Sequence, residues 1–369
     1  MRISNMSTKN SNKVSCIIDF SRFPLAVLVV FIHYIGIGDM TISASSFCDI
    51  SSYDAYSFIR VLFSRVISQV AVPAFFLISG YLFYKRLEQW DWNIWKEKVK
   101  SRIHTLLIPY LVWITLYVVF CRVLDFFISN DWSVFVSKWH IIGYYYNCTY
   151  TDMDNISWLG TSSPTCSPIL IPFWFIRDLM FMTILSPFIY FALKRMRVAF
   201  LAMLLLAYVS QVWPVIPGIS IRALCFFSIG AFFSLYKIKI PKVILKLSYF
   251  TTLTLAIACC LTFHSHVYWI LLPWFVLSAI LSFYDITKKI SGMGVRMPRL
   301  LVESTFFIFA FHFFLLHALS TFRTTTNMSL GWLLFDYFLI PISCASISII
   351  AYYALKQWCN KVIKVLVGR

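Results

Sequence analysis

Residues 17–38 read IIDFSRFPLAVLVVFIHYIGIG. A hydrocarbon core about 30 Å thick is crossed by roughly 20 predominantly apolar residues in a helix. This stretch supplies them, with Asp19 and Arg22 near its start and His33 five residues from its end. Nine further apolar stretches follow at 58–84, 105–128, 172–193, 198–213, 219–236, 247–263, 267–285, 301–320 and 331–355. Ten such helices consume roughly 200 residues of the 369, which leaves short connections and no room for a separate soluble domain. Composition agrees: 60% of residues are apolar or aromatic and 13% charged, against about 45–50% and about 25% in soluble domains. The expected fold class is all-α, a polytopic membrane protein of about ten transmembrane helices. It reads as a single domain over 1–369, with a polar segment 1–16, one long loop 129–171 and a tail 356–369.

Charge sets the orientation. The net charge of +17 would suggest nucleic acid in a soluble protein, but in a membrane protein the side on which basic residues fall matters more than their sum. With the N-terminus in the cytoplasm, 25 of the 32 Lys and Arg fall on the cytoplasmic side. The exceptions are Arg60, Arg65, Arg122, Lys138, Arg177, Arg222 and Arg323. Six acids join the inner side and nine the outer, so the two sides carry +19 and −2. Adding or removing one helix would spoil this sorting, so it supports ten crossings and two cytoplasmic termini independently of hydropathy. No nucleic-acid partner is expected.

Met1 to Val14 is polar and the first apolar run lacks a small-residue cleavage site, so the first helix is expected to stay. The ten cysteines show no metal-site spacing, and no metal is expected. Cys48, Cys148 and Cys166 fall in outer loops, where two of them could pair in an oxidising compartment. The loop 129–171 is rich in Trp, Tyr, Asn and Ser, lacks a helical period, and reads either as a lid that binds a substrate or as an irregular connector.

Ionisable groups inside a bilayer cost several kcal/mol unless paired or hydrated, so each is a functional candidate. His33, Arg65, Arg177, Asp178, Arg222, His312, His317 and Asp336 all fall within roughly 5–13 Å of the outer boundary at 1.5 Å per residue. Six helices placing polar groups at one depth suggest the wall of a water-accessible cavity. The plainer alternative is that Arg177 with Asp178, or Arg222 with Asp336, are ion pairs that let helices pack, and that each His bridges two helices. On the cytoplasmic side Lys98, Lys100 and Arg102 precede LLIPYLVW at 106–113, and Arg22 opens the first helix. Such residues commonly anchor helices at lipid headgroups. Yet Arg22 and His33 are eleven residues apart, nearly three turns, so they share one face about 16 Å apart. A ligand with phosphates at one end and a reactive group at the other fits that separation.

Several segments together carry a resemblance. They are SRFPLAVLVVFIHY at 21–34, VPAFFLISGYLFYKR at 72–86, KVKSRIHTLLIPYLVW at 98–113, PFWFIRDL at 172–179, RALCFFSIGAFF at 222–233 and ESTFFIFAFH at 303–312. In order and spacing the chain resembles the acyltransferase 3 family of bacterial integral membrane O-acyltransferases, from about residue 17 to 355. The resemblance implies transfer of an acyl group, commonly acetyl, from cytoplasmic acyl-CoA to a hydroxyl of a surface glycan or its lipid-linked precursor, in the bacterial plasma membrane. It implies no permanently bound cofactor; acyl-CoA is a co-substrate. Arg22 and His33 match the family's pair in the first helix, and Ser79 with Gly80 its Ser-Gly. Many members carry Arg-x-x-Arg before the proline of the third helix, whereas here Arg102 is followed by Thr105, with Lys98 and Lys100 upstream.

On this reading His33 is the general base, its ordinary pKa of about 6.5 suiting proton transfer near neutral pH. Arg65 and Arg177 stabilise the developing oxyanion or hold an anionic acceptor. Arg22, Lys98, Lys100 and Arg102 grip the nucleotide end of CoA, and Asp178, Arg222, His312 and Asp336 contact the acceptor. Ser79 reads as half of a close-packing pair rather than a nucleophile. His264 and His266 read as flanks of a solvated turn, and Glu303 pairs either with a helix or with the donor. Two rival functions remain, a transporter or flippase for a lipid-linked glycan and a membrane sensor without turnover. Broken helices or an inverted repeat would favour the flippase.

Overall fold

The computed structural model describes residues 2–37, 52–85, 87, 89–130, 141–146, 167–322 and 329–369. Among them the regular elements are all helical. In chain order they are α1 (Arg2–His33), α2 (Ser52–Arg60), α3 (Ala71–Tyr84), α4 (Trp92–Arg102), α5 (Ile108–Ser129), α6 (Ile141–Tyr146), α7 (Trp174–Ile184) and α8 (Ser186–Met196). They continue as α9 (Val198–Ser210), α10 (Ile221–Tyr236), α11 (Lys242–Leu261), α12 (His266–Gly292), α13 (Arg299–Phe322), α14 (Leu330–Trp358) and α15 (Asn360–Val367). A π-helical turn (Val61–Val66) and a 3₁₀ turn (Ile67–Val70) join α2 to α3, and a second π turn (Ile103–Leu107) joins α4 to α5.

Each of the ten apolar stretches finds a helix. Seven segments are long and apolar enough to cross a membrane, and α7 with α8, bent by 62°, would make an eighth if they form one span. With 13 residues in α9 and 16 in α10, these two are shorter than the roughly 20 of an ordinary span. The 38 residues from Trp92 to Ser129 reach about 57 Å as helix, well beyond the hydrocarbon core. Their first part, α4, has no buried residue and is N-capped by Asp91, whose carboxylate accepts from the backbone of Asn93 and Ile94.

Two compact units are built from discontinuous pieces. The first takes the described parts of Met1–Phe75, Ile238–His312 and Arg323–Tyr353, and the second those of Phe76–Lys237, Phe313–Phe322 and Ala354–Arg369. In the first unit α11 and α12 form a hairpin joined by hydroxyls: Thr252 donates to Ser278 at 3.2 Å, and Ser282 lies 3.0 Å from both Thr252 and Ser248. Such bonds hold helices together where apolar burial drives little association. The outward side of this hairpin is apolar, with Phe250, Leu253, Trp269, Ile270 and Trp274 exposed.

In the second unit α3 and α10 cross backbone against backbone. A Cβ on Gly80 would strike the backbone of Phe227, and one on Gly230 would strike Leu77 and Tyr81. Gly80 of the Ser-Gly pair is therefore a point of close packing. The bend between α7 and α8 follows from Pro187, which cannot donate to the Thr183 carbonyl four residues earlier. That carbonyl instead accepts from the Ser186 hydroxyl at 2.7 Å and the Trp95 indole at 3.3 Å. The tail is folded: Ile363 and Leu366 of α15 are buried, and Trp113 donates to the Leu366 carbonyl at 2.9 Å. At the end of α15, Gly368, at φ +68°, lies against the backbone of Thr105 in the second π turn.

Gly80→Ala and Gly230→Ala should each destabilise the protein by about 1–3 kcal/mol, the usual cost of overpacking. Gly292→Ala, where a Cβ meets nothing within 4 Å, should be neutral within about 1 kcal/mol. Unfolding of the three variants in detergent checks the contrast.

Candidate active site

The first unit holds the site, at the end of α1. The helix stops at His33 rather than running to 38 as the apolar stretch suggested. Its last backbone bond runs from Tyr34 N–H to the Val30 carbonyl at 3.1 Å, and the chain then turns through Gly36 at φ +75°. A Cβ there would sit 2.7 Å from the Tyr56 hydroxyl and 3.1 Å from Arg60 Nε, so only glycine fits. Carbonyls freed at a helix end need donors, and in lipid those donors must come from the protein. Ser64 Oγ donates to the Tyr34 carbonyl at 2.8 Å and Arg60 Nε to the Ile35 carbonyl at 2.7 Å. Arg60, fully buried, lies over the Tyr56 ring at 4.7 Å. The Tyr56 hydroxyl accepts from Ile37 N–H at 3.3 Å.

Two further bonds tie this end to α14. Tyr34 Oη donates to Asp336 Oδ2 at 2.7 Å, and Ser64 Oγ lies 2.6 Å from Tyr337 Oη. Phe31, Tyr56, Leu333 and Tyr337 form the buried cluster around them. The second apolar stretch is not one regular helix here. Its π turn carries both Ser64 and Arg65, and π turns recur at functional positions because they displace side chains from the α-helical register. The Arg65 carbonyl accepts from Tyr268 Oη at 2.8 Å, and Arg65 directly follows Ser64, whose hydroxyl holds the Tyr34 carbonyl beside His33.

The His33 ring faces a second imidazole. Its centroid is 5.5 Å from that of His312, with the planes tilted by 39°. His312 is fully buried, and its Nδ1 lies 3.0 Å from the Ile308 carbonyl. A carbonyl only accepts, so Nδ1 carries the hydrogen and the neutral ring keeps its lone pair on Nε2. Of the residues expected from sequence, the structure thus gathers His33, Arg65 and His312, and joins Asp336 to them through Tyr34. Arg22 lies eleven residues before His33 on α1 and meets Asp19 at 3.4 Å in a half-exposed pair. Glu303 accepts from Arg299 at 3.2 Å and from Tyr352 at 3.4 Å, which ties α13 to α14. Arg60, Ser64, Tyr34 and Tyr337 escaped the sequence reading. Arg60 had a signal, an arginine four residues after Tyr56, but Ser64 and the tyrosines look like ordinary helix residues.

The second unit holds the other candidates. Arg177 donates twice to Asp178 Oδ1, at 3.2 and 3.0 Å, and its Nη1 to the Tyr146 carbonyl at 2.6 Å. Asp178 Oδ2 accepts from Ser220 N–H at 3.3 Å, just before α10, whose N-cap is Ser220. Both side chains are nearly fully buried. The pair thereby holds α6 and the start of α10. Part of the loop read as lacking a helical period is helical, because Arg177 grips Tyr146, the Tyr144 carbonyl accepts from Ile169 N–H at 2.9 Å, and Tyr146 Oη donates to the Pro217 carbonyl at 3.2 Å. Cys48, Cys148 and Cys166 lie outside the described residues, as does most of this loop. Arg222 lies over the Trp174 ring at 5.9 Å, and His317 Nδ1 is 2.8 Å from Tyr117 Oη. Lys98 donates to the Phe83 carbonyl and lies over its ring at 4.7 Å. Lys100 is exposed and Arg102 half-buried.

A helical chain with this many apolar spans and a histidine pair set among buried tyrosines and arginines is a multi-pass membrane protein with a chemically equipped interior. It belongs to the acyltransferase 3 family, whose acyltransferase domain matches residues 17–352. It is also similar to the succinoglycan biosynthesis protein ExoH of Rhizobium meliloti (strain 1021), with 29% identity over 195 residues. That match covers 52% of this chain and 48% of ExoH, so it spans about half the length of that curated relative. No solved structure gives a significant match.

Removing one member of a buried ion pair strands the other, at about 3–5 kcal/mol. Arg177→Met and Asp178→Leu should each destabilise the protein by that order, and the double variant by less than either. Detergent unfolding of the three proteins tests whether the pair is a clamp.

Proposed function

We propose that the protein is a membrane O-acyltransferase that moves an acyl group, acetyl in the first instance, from acyl-CoA to a hydroxyl of a cell-surface glycan or its lipid-linked precursor. Membership of the family supports acyl transfer, and the likeness to a protein of succinoglycan biosynthesis supports a glycan acceptor. The observation that carries the reading is the His33 imidazole at the end of the first span, 5.5 Å from that of His312, with Arg65 next to the Ser64 that bonds the Tyr34 carbonyl.

In this mechanism His33 takes the proton from the acceptor hydroxyl as its oxygen attacks the thioester carbonyl. The tetrahedral oxyanion forms beside Arg65, whose charge counts for more in a site with little water. Collapse breaks the carbon–sulfur bond, and the proton held on His33 passes to the departing thiolate, giving the O-acyl product and CoA. Arg22, on the same helix as His33, is the first unit's candidate for the phosphates of CoA. Arg177 and Asp178 support α6 and the start of α10. The proposed topology has ten crossings with both termini in the cytoplasm of a bacterial cell, which the distribution of Lys and Arg supports.

A second reading has one observation in its favour. The 62° bend between α7 and α8 is the kind of broken helix that transporters use at substrate sites, so a path for a lipid-linked glycan stands as the alternative. Glycan movement without acylation would select it.

Radiolabelled acetyl-CoA supplied to membranes containing the protein should label glycan in alkali-labile form. His33→Ala and His33→Gln should lower transfer about 10²–10⁴-fold, and Arg65→Gln about 10²–10³-fold, with the proteins still folded. Normal transfer by both His33 variants would remove the base from this mechanism.

A further inference from the structure

The last residue of a helix frays readily, which is a poor place for a base whose rate depends on its position. His33 occupies that place on α1. The residue that follows it is held at two points. Tyr34 Oη donates to Asp336 Oδ2 at 2.7 Å, and the Tyr34 carbonyl accepts from Ser64 Oγ at 2.8 Å. The two anchors are themselves joined through chain neighbours, since Ser64 Oγ is 2.6 Å from Tyr337 Oη, and the Tyr34 and Tyr337 rings stack at 6.0 Å. Ser64 adjoins Arg65, so the residues next to both His33 and Arg65 are locked into one hydrogen-bonded unit with α14.

We infer that Tyr34, Ser64 and Asp336 are positioning residues, a clamp that holds His33 at a fixed distance and angle to Arg65. The inference rests on the reading of His33 as the base and goes beyond it, because it moves Asp336 from acceptor binding to support. The Asp336 carboxylate is half-buried and spends one oxygen on Tyr34. Asp336 suits that role because a charged acceptor binds a phenolic hydroxyl about twice as strongly as a neutral one. Losing the clamp leaves the chemical groups in place and loosens their geometry, and a misplacement of about 1 Å can cost about 100-fold in rate.

Full-length protein in nanodiscs is assayed with radiolabelled acetyl-CoA and lipid-extracted bacterial glycan, comparing Tyr34→Phe, Asp336→Asn, Asp336→Glu, Ser64→Ala and His33→Ala. Tyr34→Phe and Asp336→Asn should each lower kcat about 10–100-fold, with KM for acetyl-CoA within about twofold of the parent. Their combination should be no worse than Tyr34→Phe alone, because Asp336→Asn weakens the same bond that Tyr34→Phe removes. Asp336→Glu should recover part of the rate, and Ser64→Ala should lower kcat in the same direction should Asp336→Asn fail to fold. Parental kcat in Tyr34→Phe and Ser64→Ala, a defect confined to KM, or multiplicative losses in the double variant would overturn the clamp. Inactivity of His33→Ala alongside parental kcat in Tyr34→Phe sinks the clamp alone, whereas parental transfer by His33→Ala sinks the base.

Discussion

A helix that stops or breaks within lipid strands its carbonyl groups where no water can serve them, and this constraint organises the protein more than any other. At the end of α1 the donors are Ser64 and Arg60, which reach the Tyr34 and Ile35 carbonyls. At Pro187 they are Ser186 and Trp95, which serve the Thr183 carbonyl. In both places irregular backbone survives because side chains from elsewhere in the same unit replace the missing partners. An apolar residue at Ser64 or Arg60 would take away the donor that serves its carbonyl, and where the acceptor is buried that costs more than the bond itself contributes.

The same repair builds the candidate active site. The groups that cap α1 come from the π turn and from α14, and those elements also bring Arg65 and the Asp336–Tyr337 pair into register with His33. The bonded residues are neighbours in sequence of those proposed for the chemistry: Ser64 stands beside Arg65 and Tyr34 beside His33. His312 enters on α13, its tautomer set by the Ile308 carbonyl one turn earlier on its own helix. A histidine so fixed keeps the lone pair of its neutral ring on the other nitrogen.

The second unit solves a different problem, close approach. Gly80 and Gly230 let two backbones touch where any side chain would wedge them apart, and small residues at a crossing give packing that lipid cannot. The buried Arg177–Asp178 pair then fixes α6 and the start of α10 by reaching backbone on both. Ion pairs of this kind serve as fasteners more than as sources of stability.

What residues 1–369 determine by themselves is local and periodic. Apolar runs of sufficient length announce helices, the side bias of Lys and Arg supports an orientation, and the motifs from SRFPLAVLVVFIHY to ESTFFIFAFH carry the family. Those signals depend on each residue's own transfer free energy and its near neighbours, so they can be read along the chain. The end of α1 at His33 instead of 38, the π turn inside the second apolar stretch, and the helix at Ile141–Tyr146 depend on partners far away. Tyr34 and Asp336 are 302 positions apart and Ser64 and Tyr337 are 273 apart. The folded chain gives Asp336 the Tyr34 hydroxyl, a partner that nothing along the sequence marks. A hydrogen bond of that kind leaves no periodic trace, because a tyrosine or serine in a helix looks the same whether or not a distant acceptor reaches it. Only the tertiary structure decided which of these polar groups meet.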